Sequence, residues 1–302
     1  MMYLVFDMGG TFIKYGILDG DGNILEKSKI PTVNDRQKLL TSMQEIYFKY
    51  KDRNLNGIAM SVPGLVDVEK GIMHTSGAIT SLEGIHMAEE LSALCDNIKV
   101  SVENDGKAAA LAEAWIGAAK DVPNCCVLGF GTGIAGATII DKKAIRGNHL
   151  IAGEASWYPI SYDRKANNIR SFMDYSTYGV VKQVEVALGK EKGTMSGEEV
   201  FQLYEEGNEA VTEIMKDWFY VIAVQCYNLS LIVDPDVICI GGGVSANPLF
   251  IQGIKDAVHE IFLAGRHGKQ FSFIEPKVVK CQFDNGSNLI GALYNFKQLY
   301  ES

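Results

Sequence analysis

Long apolar runs are missing from this sequence. No stretch reaches the roughly 18 uncharged apolar residues that a membrane helix needs, and the longest candidate, Trp218 to Val233, is interpreted as a buried helix. The apolar start, Tyr3 to Phe6, is cut short by Asp7 and lacks the long apolar centre of a secretory signal. We therefore expect a cytoplasmic protein without a membrane partner.

Paired cysteines and an excess of positive charge are missing as well. The six cysteines are scattered without a C-x-x-C pair, which favours reduced core thiols over disulfides. The net charge of -9 repels a phosphate backbone, so nucleic acid is not expected as a partner. A nucleotide is compatible with this charge, because its site needs only local positive potential and backbone N–H groups.

What the sequence does contain is a regular alternation of strand and helix patterns. Hydrophobic residues make up 47% and charged residues 22% of the 302 residues, which is ordinary for a globular protein with one or two cores. Tyr3–Phe6, Phe12–Leu18 and Ile58–Val62 have strand patterns, whereas Arg36–Tyr50 has helical spacing. The alternation predicts an α/β architecture.

An internal repeat suggests how this architecture is divided. Residues 5–19 and 127–141 align without a gap, and each consists of an apolar strand, a glycine turn and a second strand closed by Asp. Two unrelated hairpins could share this pattern by chance. A duplicated domain would instead offer one glycine turn from each half to a shared cleft, where small ligands preferentially bind. We expect an N-terminal domain of residues 1–118, with a helix at about 287–302 packing back on it, and a larger domain of residues 119–286.

The first glycine turn follows a strand that ends in a carboxylate. Gly9, Gly10 and Thr11 could present backbone N–H groups to a phosphate, because glycine has no Cβ to obstruct the approach. Asp7 could hold Mg²⁺ through water, since Mg²⁺ dehydrates reluctantly, and Lys14 adds a cation. An ordinary hairpin turn accounts for these residues equally well.

Two further glycine turns occur later in the chain. The turn of the repeated unit, Gly131-Thr132-Gly133, is not a Walker A loop, because no G-K-[ST] follows it. Gly241-Gly242-Gly243 lies between an apolar strand and a helix, where bare backbone can pack against a flat ring or a phosphate. Glycine runs also serve as plain turns, but the strand–glycine–helix context favours a nucleotide.

Polar residues also end the strand that begins at Val100. Side chains placed where a parallel strand meets a helix project into the cleft of an open sheet, and Glu103, Asn104 and Asp105 occupy such a place. Asp105 could equally be a helix N-cap. Glu154 in Ala-Gly-Glu says little in isolation.

The order of these motifs resembles the ROK family of sugar kinases, within the wider actin, Hsp70 and hexokinase fold. The resemblance covers nearly the whole chain. It rests on the D-M-G-G-T-x-x-K opening, the V-P-G-L-V-D segment around Gly64, the E-N-D cluster, the G-T-G-I turn, the A-G-E segment, and Pro235-Asp236-Val237 before the triple glycine.

The resemblance implies a function for each motif. Asp105 would be the general base that takes the proton from the sugar 6-hydroxyl, and ATP with Mg²⁺ and a homodimeric assembly are implied as well. The implied sugar-binding residues are Asn104, Glu154, Gly64, Glu103 and Trp157. The implied phosphate-binding residues are Asp7, Gly9, Gly10, Thr11, Lys14, Gly131, Thr132 and Gly133, with Gly241, Gly242 and Gly243 on the adenosine side.

The chain departs from the family near Glu154. Many ROK proteins carry a histidine three residues after this Glu and then a zinc-binding cysteine cluster. Here that position is Trp157, and neither Cys nor His occurs from Trp157 to Tyr178, so we expect no zinc. The pattern looks like the zinc-less β-glucoside kinase branch, with a pocket that tolerates a substituent on the anomeric oxygen. Core packing is the alternative interpretation of Trp157.

Other activities remain open at this point. A glucokinase, a fructokinase or an N-acetylmannosamine kinase would keep the same chemistry, whereas a sugar-sensing ATP-binding regulator would not need a base. The family's DNA-binding repressors carry a winged-helix region ahead of the phosphate loop. Because Asp7 lies so near the start of this sequence, we do not expect such a region here.

Overall fold

The computed structural model describes residues 1–283 and 286–301, which form two compact units. The first unit comprises Met1–Lys120, Lys142–Ala152 and residues 286–301, and the second comprises Asp121–Asp141 and residues 153–283. The domain bounds expected from the sequence stay a prediction, and residues 284, 285 and 302 within them lie outside the described residues.

Strands and helices alternate as the sequence predicts. The strands are β1 (Met2–Met8), β2 (Phe12–Asp19), β3 (Ile24–Pro31), β4 (Leu55–Val62), β5 (Val66–Asp67), β6 (Ile72–Met73), β7 (Val100–Asn104), β8 (Cys125–Phe130), β9 (Ile134–Ile140), β10 (Lys143–Ala144), β11 (Pro159–Asp163), β12 (Asn168–Ser171), β13 (Val237–Gly241) and β14 (Val278–Lys280). The α-helices are α1 (Arg36–Tyr50), α2 (Met87–Leu94), α3 (Asp105–Ile116), α4 (Thr177–Ala187), α5 (Gly197–Glu205), α6 (Glu209–Ile232), α7 (Pro248–Ala264) and α8 (Ser287–Tyr300).

The main sheet of the first unit has the strand order β3-β2-β1-β4-β7. β1 and β2 form an antiparallel hairpin in which Asp7 lies opposite Lys14. β1 also pairs in parallel with β4, and β4 with β7. Parallel strands bring their carboxyl ends to one edge of the sheet, so the residues that follow β1, β4 and β7 are neighbours there.

The second unit repeats this arrangement. β8 and β9 form an antiparallel hairpin, and β13 lies between β8 and β14 and is parallel to both. The two hairpins are the two halves of the internal repeat. The duplicated α/β fold predicted from the sequence is therefore confirmed.

Helix α8, Ser287–Tyr300, belongs to the first unit. It packs against α3 and against strands β4, β7 and β1. The contact with α3 is close, because a Cβ at Gly291 would lie 1.6 Å from the carbonyl oxygen of Ala108. Glycine at position 291 thus allows the two helices to touch through their backbones.

Aromatic side chains fill the core of the second unit. The ring centroids of Trp218 and Phe250 lie 4.7 Å apart, and Phe130 at the end of β8 packs edge-on against Phe250 at 5.4 Å. The indole N–H of Trp218 donates to the carbonyl oxygen of Tyr175 at 2.7 Å, so this buried polar group is satisfied. Helix α6, which carries Trp218, is the buried helix expected from the sequence. No helix in the described part of the chain has both the length and the apolar character needed to span a membrane.

Candidate active site

The junction of β7 and α3 positions Asn104 and Asp105. Asn104 is the N-cap of α3, because its Oδ1 accepts from the backbone N–H of Lys107 at 3.0 Å. Its amide nitrogen donates to the carbonyl oxygen of Gly64 at 2.9 Å and to Oδ1 of Asp105 at 3.1 Å. From the sequence, Asp105 could have been the N-cap of α3. In the structure the N-cap is Asn104. Asp105 is half-buried in the first turn of the helix, where its Oδ1 also accepts from the N–H of Gly106 at 2.8 Å.

Gly64 supports this junction with its backbone. Its φ is +95°, in the region that favours glycine. A Cβ there would lie 2.3 Å from the carbonyl oxygen of Thr75. The expected sugar-binding position is thus a tight turn whose carbonyl oxygen orients the amide of Asn104.

Glu103 lies in a different environment from the one expected. Its side chain is completely buried, with Oε1 accepting from the N–H of Asn104 at 2.8 Å and Oε2 paired with the guanidinium of Arg146. Arg146 also donates to Oδ1 of Asn295 on α8 at 3.1 Å. Both carboxylate oxygens are therefore occupied by protein donors. These contacts hold the end of β7, and the role in sugar binding expected for Glu103 stays a prediction.

The first glycine turn joins β1 to β2. Asp7 is largely buried, and its Oδ1 accepts from the amide of Asn288 at 2.9 Å and from the hydroxyl of Ser61 at 3.3 Å. Its Oδ2 lies 3.3 Å from the ammonium group of Lys14. Asp7 and Lys14 thus form one cluster, and Ser61 and Asn288 are partners that sequence reasoning missed.

The backbone of this turn is bent back on itself. The N–H of Gly9 donates to the carbonyl oxygen of Phe12 at 3.0 Å, and a Cβ at Gly9 would lie 2.9 Å from the same oxygen. Gly10 and Thr11 are exposed. The turn therefore presents short, accessible residues in the first unit, as a site for an anion requires.

The second and third glycine turns adjoin each other in the second unit. They follow the neighbouring parallel strands β8 and β13, in which Gly129 lies opposite Gly241. Gly242 has a φ of +88°, and a Cβ there would lie 2.0 Å from the carbonyl oxygen of Phe130. Only glycine fits such a close approach.

These two turns line a pocket of about 970 Å³ in the second unit. Cβ atoms at Gly131 and Gly243 would meet no atom within 4 Å, so both glycines border open space. The first residues of α4, α5 and α7 also border the pocket, and helix N-termini carry the positive end of the helix dipole. The large apolar side chains of the wall include Phe130, Val181, Met195, Phe201 and Val244. A pocket of this size, composition and polarity can hold a nucleotide.

Glu154 is the N-cap of a short 3₁₀ helix, Ala155–Trp157, of which Trp157 is the last residue. Ser156 fixes this helix to β9, because its hydroxyl accepts from the N–H of Ile134 at 2.9 Å and donates to the carbonyl oxygen of the same residue at 3.0 Å. Glu154 is half-buried, whereas Trp157 is 74% exposed. The alternative that Trp157 is a core residue is therefore wrong.

A hairpin that the sequence did not predict follows Trp157. Strands β11 and β12 pair in an antiparallel sheet of their own, with Tyr162 opposite Ile169. The side chains of Tyr162 and Ile169 are 56% and 59% exposed. This hairpin occupies the segment in which zinc-bearing ROK proteins have their cysteine cluster. No group of three or more potential metal ligands occurs among the residues described, and the absence of zinc stays a prediction.

Comparison with known proteins agrees with the fold and with the order of the motifs. Residues 3–299 match the model of the ROK family. The chain belongs to the ROK family.

The relatives that resemble it cover it almost completely. A β-glucoside kinase from Klebsiella pneumoniae is 31% identical, over 100% of this chain and 98% of that protein. The solved structure of a ROK family protein from Streptococcus pneumoniae TIGR4, in complex with sucrose, has a TM-score of 0.89 and 31% identity, over 99% of this chain and 98% of that one. A ROK hexokinase from Thermus thermophilus has a TM-score of 0.84 at 19% identity, over 100% of both chains, and shares the fold. The predicted family and the predicted actin- and hexokinase-like fold are confirmed.

Proposed function

We propose that this chain transfers the γ-phosphoryl group of ATP to the 6-hydroxyl of a glucose-type sugar, and that its preferred acceptor is a β-glucoside such as cellobiose. At the coarser level the chain is an ATP-dependent sugar kinase, a phosphotransferase of the ROK family. The choice of hydroxyl, the choice of sugar and the role of each residue belong to the proposal.

The geometry of Asp105 is the observation that carries the proposal. Two donors, the amide of Asn104 and the N–H of Gly106, converge on Oδ1 and fix the orientation of the carboxylate. An oriented carboxylate at the end of a sheet can take a proton from a sugar hydroxyl as it attacks the phosphorus, which is worth about 10²–10⁴-fold in rate. A regulator that only senses sugar would not need such a base.

The pocket of the second unit supports binding of ATP. The bare backbone at Gly131 and Gly243 can approach a phosphate or a purine ring, and the N-termini of α4, α5 and α7 favour negative charge. Phosphoryl transfer asks a protein mainly for alignment and for stabilisation of charge. We therefore assign the adenosine to Gly241, Gly242 and Gly243 and phosphate binding in this unit to Gly131, Thr132 and Gly133. For the first unit, the family resemblance supports a phosphate-binding role for Gly9, Gly10, Thr11 and Lys14.

Asp7 suits an indirect contact with Mg²⁺. Its carboxylate already accepts from Asn288 and Ser61, so a metal ion held through water fits better than a directly bound one. Mg²⁺ would neutralise charge on the phosphates when it is bound. Lys14, at 3.3 Å from Asp7, places a positive charge beside the same turn.

Trp157 supports the choice of a β-glucoside. It stands three residues after Glu154, where many relatives have a histidine, and its ring is accessible to a ligand. An aromatic face can pack on the apolar face of a second sugar or of an aryl group. The β-glucoside kinase activity of the Klebsiella relative and the sucrose in the Streptococcus structure also favour a site that accepts a substituted anomeric oxygen.

A panel of acceptors tests the proposal. ADP release is measured with cellobiose, an aryl β-glucoside, glucose, fructose and N-acetylmannosamine at matched concentrations. We expect the highest kcat/KM for the two β-glucosides. Phosphorylation of free glucose with no activity on either β-glucoside would overturn the substrate choice, and sugar binding without sugar-dependent ADP release would overturn the kinase assignment.

Two further expectations complete the proposal. The family resemblance implies a homodimer, which light scattering of the purified protein would test. A cytoplasmic location is proposed as well, and fractionation of the producing cell would test it.

A further inference from the structure

One buried carboxylate in the second unit is not explained by the chemistry above. Glu185 lies on α4 and is almost wholly shielded from solvent. Its Oε2 accepts from the N–H of Gly193 at 2.9 Å, and its Oε1 accepts from the N–H groups of Thr194 and Met195 at 2.8 and 2.9 Å. A single side chain thus binds three consecutive backbone donors of the loop between α4 and α5.

The start of the same loop also contacts Glu185, through its backbone. The N–H of Lys190 donates to the backbone oxygen of Glu185 at 2.8 Å. The hydrogen bonds that the carboxylate accepts from the backbone, with that from Gly193 the largest cause, lower the pKa of the Glu185 carboxyl. The group therefore stays ionised at neutral pH. The loop is therefore folded around a buried negative charge, which its own N–H groups satisfy.

This loop leads directly into the wall of the pocket. Met195, whose N–H is the last of the three bound donors, lines the pocket, and so do the next residues, Ser196, Gly197 and Glu198. Ser196 then starts α5 with a capping box, in which its hydroxyl accepts from the N–H of Glu199 and its own N–H donates to that carboxylate. The position of this wall depends on where the loop places Met195.

Helix α4 supplies the facing wall. Thr177 and Val181 line the pocket, and Glu185 follows them at successive intervals of four residues, so the three lie on one face of the helix. The first turn of α4 is in turn fixed to the glycine turn, because the N–H of Tyr178 donates to the carbonyl oxygen of Gly131 at 3.2 Å. The carboxylate of Glu185 therefore connects helix α4 to the loop that leads into α5, and both helices contribute residues to the pocket wall.

We infer that Glu185 is a positioning residue for the nucleotide: it sets the distance between the α4 wall and the α5 wall, and with it the affinity for ATP, without touching the ligand. The inference rests on the proposed nucleotide site. Because the residues proposed to bind sugar and the proposed base do not line this pocket, sugar affinity and kcat at saturating ATP do not depend on Glu185.

The test compares Glu185→Gln with Glu191→Gln. The first variant keeps the shape of the side chain but replaces one acceptor with an NH₂ group that faces a backbone donor. The second removes the same charge from an exposed carboxylate of the same loop. We expect Glu185→Gln to raise the Kd and the KM for ATP about tenfold or more, with kcat and the KM for sugar changed less than twofold. Glu191→Gln should match the wild type. Hydrogen exchange at the N–H groups of residues 193–195 should accelerate only in Glu185→Gln.

The outcomes are distinguishable from failure of the proposed function. If the wild type binds no ATP, the proposed nucleotide site fails. If the wild type binds ATP and Glu185→Gln binds it equally well, the inference fails alone. A fall in kcat and in affinity for both substrates would reveal a general structural role and also overturn it. If Glu185→Gln does not fold, Gly193→Ala is the second variant. The φ of +80° at Gly193 disfavours alanine and should shift the loop, whereas the added Cβ would meet no atom within 4 Å and so causes no clash. An unchanged Kd for ATP in that variant would count against the inference.

Discussion

The side-chain amide of Asn104 donates to Oδ1 of Asp105 at 3.1 Å, while the amide oxygen of the same residue caps α3. One side chain therefore fixes both the start of the helix and the orientation of the adjacent carboxylate. An Asn-Asp pair suits this junction because the two functions fall on different residues. If one aspartate were both the N-cap and the base, its carboxylate would be engaged in capping the helix.

Asp105→Asn should reduce turnover strongly while the protein remains folded. The amide keeps the shape of the side chain but cannot take a proton, so kcat should fall about 10²–10⁴-fold. Steady-state ADP release and calorimetric sugar titration are the measurements. Asp52→Asn, at an exposed site, is the charge-matched control. A kcat within a factor of three of the wild type would remove Asp105 from the role of base.

Arg146→Met should destabilise the first unit. It leaves the completely buried carboxylate of Glu103 without its ion-pair partner, which we expect to cost about 3 kcal/mol of unfolding free energy. Urea denaturation measures the loss. Glu103→Gln combined with Arg146→Met removes the uncompensated charge and should recover part of the stability. A single variant as stable as the wild type would show that the pair contributes little.

Gly242→Ala should lower the stability of the protein, whereas Gly243→Ala should weaken ATP binding and leave stability nearly unchanged. Alanine at 242 meets the carbonyl oxygen of Phe130 at 2.0 Å and requires a φ of +88°, so we expect a loss of stability of several kcal/mol. Alanine at 243 meets no protein atom, so stability should change by less than about 0.5 kcal/mol. Its methyl group would instead face the proposed nucleotide site and raise the KM for ATP. Thermal unfolding and ATP kinetics separate the two effects, and equal behaviour would contradict this account of the turn.

Trp157→Ala should change substrate preference and leave stability unaltered. The side chain is 74% exposed, so its removal should alter the unfolding free energy by less than about 0.5 kcal/mol. Loss of the aromatic contact should cost a β-glucoside about 1 kcal/mol of binding, which raises its KM roughly fivefold. The KM for free glucose is the internal comparison, and parallel shifts for both sugars would argue against a contact with the aglycone.

Thiol reactivity should be suppressed in the native protein at pH 8. Burial raises the pKa of Cys95 and of Cys226 to about 12, and that of Cys126 to about 11, so these thiols stay protonated. The stability they contribute is complete below the unfolded pKa of a thiol and is lost as the pH rises toward the folded values. Native protein should react with few or no equivalents of a thiol reagent, and denatured protein with all six cysteines. Fast labelling of the native protein would contradict the buried environment.

Local patterns predicted the framework of the molecule well. The two glycine hairpins and helix α8 are encoded by contiguous apolar spacing, and the structure contains them where the sequence places them. The boundary between β7 and α3 at the E-N-D cluster also agrees with the sequence, because a strand that ends in polar residues before a helix is a local signal.

Partners that lie far apart in the chain could not be predicted in this way. Arg146 contacts Glu103 across more than forty residues, and Asn288 contacts Asp7 from near the other end of the chain. Neither residue belongs to a pattern of its own. The hairpin of β11 and β12 was missed because its exposed strands bury no consistent face and therefore show no clear alternation.

The close contact of Gly291 with Ala108 also bears on how the protein is made. Helix α3, which begins with Asp105, completes its packing only against α8, the last 14-residue helix of the chain. Synthesis proceeds from the N-terminus, so a nascent chain leaves this surface of α3 uncovered until α8 has emerged from the ribosome. The proposed base is thus synthesised well before residues 287–300 complete the packing of the helix that carries it.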